Sequence, residues 1–175
     1  MASVQISKEE MLKRVARFKE LQPSRQAFVD SLIPGHERAI FNVIGRGVTE
    51  DTSLNPAITD ARDFNLTLVQ AAPRKGAALH SHTTVEVFIP LSGEWAIYWG
   101  DNGENEIVLG PWDTISVPPG VMRGFRNAGN EEGHLMAILG GTDAGKVAWA
   151  PAVLERARQT GLALDEQGNL IHANY

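Results

Sequence analysis

The sequence predicts an all-β core flanked by helical segments at both ends. Short apolar runs separated by turn-rich segments recur between about residues 64 and 142, a spacing typical of a β-sandwich or barrel. Apolar residues at helical spacing precede this region, and a proline and a glycine bracket a short segment after it. A length of 175 residues fits one structural domain, divided into an arm (1–63), a β-core (64–142) and a C-terminal segment (143–175).

The arm is expected to carry two helices and a lead-in strand. Residues 7–10 have the form of a capping box, and apolar side chains follow at helical spacing as far as Pro23. A second helix is expected over residues 24–33, ending at Pro34 and Gly35. The apolar stripe of the first helix must be covered, either by the outer face of its own sheet or by a partner subunit.

Six segments of the β-core are strand-like, and a short helix and tail follow them. The predicted strands are 65–71, 85–91, 94–99, 106–109, 114–117 and 135–139. The second and third form a hairpin that turns at Ser92 and Gly93. A helix is expected from Pro151 to Ala157, with Gly161 beyond its end, before a strand-like tail over residues 162–171.

Composition narrows the range of partners and chemistry. The formal charge is -5 and no basic stripe is present, which argues against nucleic acid and anionic membranes as partners. The chain has no cysteine, so a bound metal must be held by nitrogen and oxygen. Neither a signal-type apolar run nor a membrane-length one is present in the sequence, and a cytoplasmic location is the default expectation.

The run His-Ser-His-Thr-Thr-Val-Glu over residues 80–86 contains three potential metal ligands. Alternate side chains of an extended strand share a face, so His80 and His82 point the same way, and a bulge or short turn returns Glu86 to that face. Two imidazoles and one carboxylate hold a divalent metal while leaving positions open for water, oxygen or substrate.

This run, followed after six residues by Gly93, resembles the first signature motif of the cupin family. The second motif of that family resembles residues 118–127, where Pro118, Gly120 and Asn127 keep the spacing but Arg123 replaces the histidine. The resemblance implies a double-stranded β-helix, or jelly-roll barrel. It also implies a metal at His80, His82 and Glu86, with iron favoured over manganese, nickel or zinc, and a homodimer.

Two further positions depart from the cupin pattern. Arg74 and Trp112 stand where the family usually has the glycine that opens each motif, and Gly76 and Gly110 are displaced by two residues. These departures concern the local turns.

The role of Arg123 decides between two functions. Turned toward the barrel mouth, its guanidinium is placed to bind a substrate carboxylate, phenolate or enolate beside a bound metal. Turned inward, it pairs with Glu86 and repels a divalent ion. The first arrangement favours a metal-dependent enzyme with Arg123 as a catalytic residue, of the dioxygenase type, acting on a small organic anion or diketone-like substrate. The second favours a non-catalytic cupin that binds a small acidic ligand, with the Arg123–Glu86 pair replacing the metal.

Other polar and aromatic candidates are weaker. His134 is a possible substitute ligand but is more typical of a solvated strand residue, and His36 and His172 are expected in a loop and in the tail. Trp95 and Trp99 share a strand face with Ile97, which is ordinary for barrel packing and also suits an apolar pocket wall.

Overall fold

Two five-stranded antiparallel sheets face each other and enclose the core. The structure is a computed structural model and describes residues 2–173. Its strands are β1 (Ala39–Ile44), β2 (Phe64–Ala71), β3 (Gly76–Ser81), β4 (Glu86–Ser92), β5 (Trp95–Trp99), β6 (Asn105–Leu109), β7 (Ile115–Val117), β8 (Arg123–Asn127), β9 (Gly133–Gly140), β10 (Ala148–Trp149), β11 (Leu162–Leu164) and β12 (Leu170–His172). The first sheet has the order β1-β2-β9-β4-β7, and the second has the order β10-β3-β8-β5-β6.

The core lies between the sheets because alternate residues of each strand point inward. In β9 every second residue is buried, so Leu135, Ala137 and Leu139 face the interior and the intervening side chains face outward. From the second sheet, Trp95 and Ile97 are fully buried, as expected for barrel packing. The predicted all-β jelly-roll class is confirmed, and each of the six predicted strands is present within two residues of its expected ends.

Four strands of the two five-stranded sheets lie outside the six predicted segments. The sheets include β1 and β10, on either side of residues 64–142, as well as β3 and β8, which carry the two candidate motifs. The C-terminal helix α2 (Pro151–Gln159) begins at a proline as expected, and the tail forms the hairpin β11–β12. None of the helices in the described range is both long enough and apolar enough to cross a bilayer.

The helices of the arm differ from the prediction. The first is the single turn α1 (Lys8–Leu12), capped by the Ser7 hydroxyl, which accepts the Glu10 N–H at 3.1 Å, and a short 3-10 turn follows at Phe18–Glu20. Phe18 then packs on the outer face of its own first sheet, with its ring centroid 5.0 Å from that of Phe41.

The predicted second helix over residues 24–33 is wrong, because this segment forms successive turns. Some of its amide groups bond to side chains, and those of Ser31 and Ile33 close single turns onto backbone carbonyls, so no helical ladder forms. The Val29 N–H donates to the Glu50 carboxylate at 2.6 Å, and the Phe28 N–H donates to the Ser31 hydroxyl at 3.2 Å. Such side-chain acceptors compete with helix formation. Val29 and Asp30 are both buried, so the segment inserts into the core as an irregular plug and not as an amphipathic helix.

Arg74 and Trp112, which stand where cupins usually have glycine, adopt the backbone conformation that glycine favours. Arg74 has a φ of 66° and Trp112 a φ of 71°, in the left-handed region that normally favours glycine. Both backbone N–H groups are engaged, that of Arg74 with the Asn127 carbonyl at 2.8 Å and that of Trp112 with the Pro90 carbonyl at 2.9 Å. The fold therefore imposes the turn, and the backbone is strained at both positions because a residue with a side chain adopts a left-handed conformation.

Candidate metal centre

The three predicted ligands come from both sheets and meet between them. His80 lies near the end of β3, His82 follows that strand directly, and Glu86 begins β4 in the facing sheet. Arg123 begins β8 and is the register partner of His80. All four side chains are ionisable and all four are buried, which is unusual above all for a glutamate and an arginine.

The donor atoms of His80, His82 and Glu86 all lie within 4.8 Å of one another. Atoms that each lie ~2.1 Å from a shared ion are at most ~4.2 Å apart, so closing the site around an ion requires side-chain shifts of about half an ångström. Two nitrogens and one carboxylate oxygen suit a divalent transition metal and leave coordination positions free. The residues present fit the metal that the sequence predicts.

His80 is oriented for coordination by its other ring nitrogen. Its Nδ1 lies 2.7 Å from the Ala78 carbonyl, which accepts a hydrogen bond and so places the proton on Nδ1. Nε2 is then the lone-pair nitrogen available to an ion, as in many histidine ligands. Burial, together with the nearby His82, lowers the pKa of His80 to about 3, which keeps this ring neutral.

Glu86 is the electrostatic centre of the group. Its Oε2 accepts the Arg123 Nε–H at 3.0 Å and lies 3.3 Å from the His82 Nε2. Burial acts to raise the pKa of Glu86, but the His82 hydrogen bond and the positive charge of Arg123 outweigh it, and the pKa is lowered. The carboxyl is therefore ionised and available as a ligand.

Arg123 is turned inward. Besides Glu86, it donates from Nη1 to the Val121 carbonyl at 2.7 Å, while Nη2 is buried without a partner within residues 2–173. Burial lowers the pKa of Arg123, opposed by Glu86. This is the pairing expected for the inward arrangement, and it fixes one oxygen of Glu86 beside the other donors.

A cavity adjoins the three donors. It offers about 40 Å³ to the centres of water-sized molecules, room for about three waters at ~10–15 Å³ each. Apolar side chains dominate its wall, among them Phe28, Phe125 and Trp149. Arg123 is not one of the described residues that line it, and neither are Trp95 and Trp99.

The sequence analysis missed a second buried polar group beside this site. Asp30 pairs with Arg38 at 2.9 Å, and its other oxygen accepts the Ala78 N–H at 2.9 Å. Glu50 accepts the Trp149 indole N–H at 2.6 Å, and the Trp149 ring lies 5.3 Å from that of His80. The only signal in the sequence was a carboxylate within the apolar run around Asp30, which helical spacing explained equally well.

The remaining histidines lie away from the three donors. His134 faces outward from β9, where its Nδ1 lies 3.2 Å from the Ser92 hydroxyl and its ring packs edge-on against Phe18. His36 lies 3.3 Å from the Gly76 carbonyl, and burial lowers its pKa. His172 is exposed on β12.

Residues 67–139 match the family model described as "Cupin domain". The barrel of this chain is a cupin domain. The match spans β2 to β9 and includes the two histidines, Glu86 and Arg123. A search of curated protein sequences found no match.

Solved cupin-like structures resemble the chain in fold. The polyketide cyclase RemF from Streptomyces resistomycificus is 17% identical with a TM-score of 0.57, covering 77% of this chain and 82% of that one. A cupin 2 domain-containing protein from Halorhodospira halophila is 18% identical with a TM-score of 0.53, covering 70% and 77%. The DMSP lyase DddQ from Ruegeria pomeroyi is 18% identical with a TM-score of 0.51, covering 64% and 51%.

Proposed function

We propose that this cupin is a cytoplasmic, metal-dependent enzyme that acts on a small organic anion. His80, His82 and Glu86 hold the ion, for which iron is the first candidate and manganese, nickel and zinc are alternatives. A divalent ion held by three protein ligands polarises substrate oxygens at its open positions. The observation that carries the proposal is the convergence of three buried donors, within 4.8 Å of one another, on a mostly apolar cavity.

The residues of the chain have separate tasks in this proposal. The Ala78 carbonyl holds His80 in one tautomer, and the Nε–H of Arg123 orients the Glu86 carboxylate by a hydrogen bond to Oε2. Arg123 is also the proposed catalytic residue: it does not line the cavity in its inward position, and this role requires its guanidinium, whose Nη2 has no acceptor within the described chain, to turn toward the barrel mouth and bind a substrate anion there. The apolar wall limits the access of water and strengthens these electrostatic contacts.

Oxygenative cleavage of a small organic anion or diketone-like substrate is the reaction class we propose. Dioxygen is the oxidant that this reaction consumes, and an ion held by His80, His82 and Glu86 alone would supply open coordination positions for the reactants. The names of RemF and DddQ, a cyclase and a lyase, favour reactions without an oxidant as the second class. Oxygen-electrode measurements on iron-loaded protein with acetylacetone and related diketones separate the two, because a cyclase or lyase consumes no oxygen.

The Arg123–Glu86 contact at 3.0 Å supports a second candidate function, a metal-free cupin that binds a small acidic ligand. Metal analysis of protein purified without a histidine tag, followed by calorimetric titration of zinc or iron(II) into the stripped protein, distinguishes the candidates. The enzyme proposal expects about one ion per chain in the wild type, and the same in His134→Ala. Binding that appears only after Arg123→His contradicts the enzyme proposal and supports the metal-free one.

We also propose that the protein is a homodimer. Seven large apolar side chains of the arm are exposed in the described part of the chain, among them Val4 at 91%, Met11 at 49%, Leu12 at 53% and Val15 at 48%. Burial of such a group against a second copy is favourable at roughly 25 cal/mol per Å². Light scattering is expected to give twice the chain mass at micromolar concentration, and Leu12→Glu with Val15→Glu is expected to reduce it to the monomer. A wild-type monomer excludes the dimer.

A further inference from the structure

The cation that lines the cavity is Arg38, a residue of the arm. Arg38 belongs to the cavity wall together with the three donors of the metal centre. Its side chain is 2% exposed, and its guanidinium carbon lies 5.2 Å from the centre of the Phe28 ring. Position 38 lies outside the segment that matches the cupin family, so the family motifs give no indication of this group.

Most of the donors of Arg38 are already engaged. Nη1 donates to the His36 carbonyl at 2.7 Å and to the Gly76 carbonyl at 3.2 Å, and Nη2 donates to Asp30 at 2.9 Å. These bonds fix the guanidinium in place. Nε is buried and finds no acceptor anywhere in the part of the chain that is described. A buried N–H without an acceptor is unfavourable. Because Arg38 lines the cavity, a molecule bound there is a candidate to supply the acceptor after a small shift of the side chains around Nε.

The charge around Arg38 indicates what kind of acceptor fits. Asp30 is fully buried and balances the guanidinium at 2.9 Å, so the pair is neutral as a unit. A second carboxylate at Nε would place an excess negative charge in an apolar wall, which is costly. A carbonyl oxygen satisfies the N–H without adding charge. The anionic part of a ligand is better placed at the metal centre, where the ion adds positive charge.

We propose that the Nε–H of Arg38 recognises a neutral oxygen, such as a ketone carbonyl, in a small molecule whose anionic group binds at His80, His82 and Glu86. This inference rests on the proposed function for the anionic end alone. It makes the substrate class a small oxo acid and assigns its recognition to the arm.

Zinc-loaded protein titrated with matched acid pairs tests this assignment. The probes are 4-oxopentanoate with pentanoate and 5-oxohexanoate with hexanoate. Each is larger than the three waters that the cavity holds, so its binding requires apolar side chains of the cavity wall to move apart. At least one oxo acid is expected to bind about tenfold more tightly than its parent, the effect of one hydrogen bond from a charged donor. Arg38→Lys keeps a cation for Asp30 but removes the Nε–H, and it is expected to abolish this preference. Because each oxo acid is compared with its parent in the same zinc-loaded protein, any effect of the substitution on zinc binding through Asp30 and Ala78 cancels from the ratio.

The possible failures are distinguishable. Absence of zinc binding in the wild type contradicts the proposed function. The role of Arg38 is then tested in metal-free protein, by following the 15N NMR signal of its Nε–H during titration with 2-butanone. A shift of that signal supports the inference. No response to 2-butanone overturns it. Equal affinities for oxo acids and parents in zinc-loaded wild type, or a preference that persists in Arg38→Lys, also overturns it. If Arg38→Lys does not fold, the double variant Arg38→Met with Asp30→Asn, which removes both charges together, serves as the test variant instead.

Discussion

Glu50 is expected to make the protein less stable as the pH rises toward neutrality. Its side chain is buried, and its two oxygens accept the Val29 N–H and the Trp149 indole N–H, each at 2.6 Å. Burial raises the pKa of Glu50 from 4.5 to about 7, although both hydrogen bonds act in the opposite direction. The folded protein therefore keeps a proton on Glu50 at pH values where the unfolded chain has released it.

The sign and size of the effect follow from this difference. The contribution of Glu50 to stability is fully present below pH 4.5, decreases between pH 4.5 and about 7, and is lost above it. At about 1.4 kcal/mol per pH unit, the gap between the two pKa values corresponds to a loss of about 3 kcal/mol. For a domain of this size such a loss is a large part of the total free energy of unfolding.

Urea unfolding at pH 5 and pH 8 measures this pH-dependent loss of unfolding free energy. Glu50→Gln is the test variant, and Glu94→Gln, at an exposed site, is the control. The glutamine amide has one acceptor for two N–H donors, so the variant is expected to be less stable at pH 5 by about 1–3 kcal/mol. That constant cost cancels when each protein is compared with itself at the two pH values. The decrease from pH 5 to pH 8 is expected to be smaller in Glu50→Gln than in wild type by about 2–3 kcal/mol, and parallel pH profiles refute the reasoning.

Three further expectations concern the metal centre and the turns. Replacing His82 by Ala is expected to abolish metal retention measured by plasma emission, whereas His134→Ala leaves it intact, and equal loss in both shows that the ligand set is incomplete. Arg123→His is expected to tighten zinc binding in calorimetry while lowering activity, since a cation beside Glu86 is replaced by a fourth ligand; weaker zinc binding contradicts this. Arg74→Gly and Trp112→Gly are each expected to raise the unfolding free energy by about 0.5–1 kcal/mol, because relief of left-handed strain exceeds the entropy that glycine adds to the unfolded chain; a decrease in urea midpoint for both rules out strain at these turns.

The β-core and the three donors were predictable because both depend on short-range periodicity. Strand alternation places His80 and His82 on one face whatever surrounds them, and the spacing to Glu86 bridges to the next strand. The second motif identified Arg123 as the residue in the histidine position, but the sequence predicted neither β8 nor its register with His80. The orientation of Arg123 was not predictable. Its inward and outward conformations differ only in their contact partners, and the sequence does not indicate which contacts are preferred.

The arm was not predictable for a different reason. Helical spacing over residues 24–33 was a valid local signal, but the backbone there is held by acceptors distant in sequence, such as the Glu50 carboxylate bonded to the Val29 N–H. Asp30 accepts the N–H of Ala78, which lies 48 positions later in the sequence. Tertiary contacts of this kind override local propensity, and no periodic pattern records them.

These long-range contacts also explain how the arm bears on the metal centre. Ala78 accepts the Nδ1–H of His80 through its carbonyl and donates its own N–H to Asp30, which Arg38 holds in turn. The tautomer and position of the candidate ligand His80 therefore depend on a carboxylate and a guanidinium from the arm. In the proposed function, the motif supplies the three candidate metal ligands, and contacts from the surrounding segments orient His80 and form part of the cavity wall. The substrate of this cupin is thus expected to be encoded in residues 28–50 at least as much as in the motifs themselves.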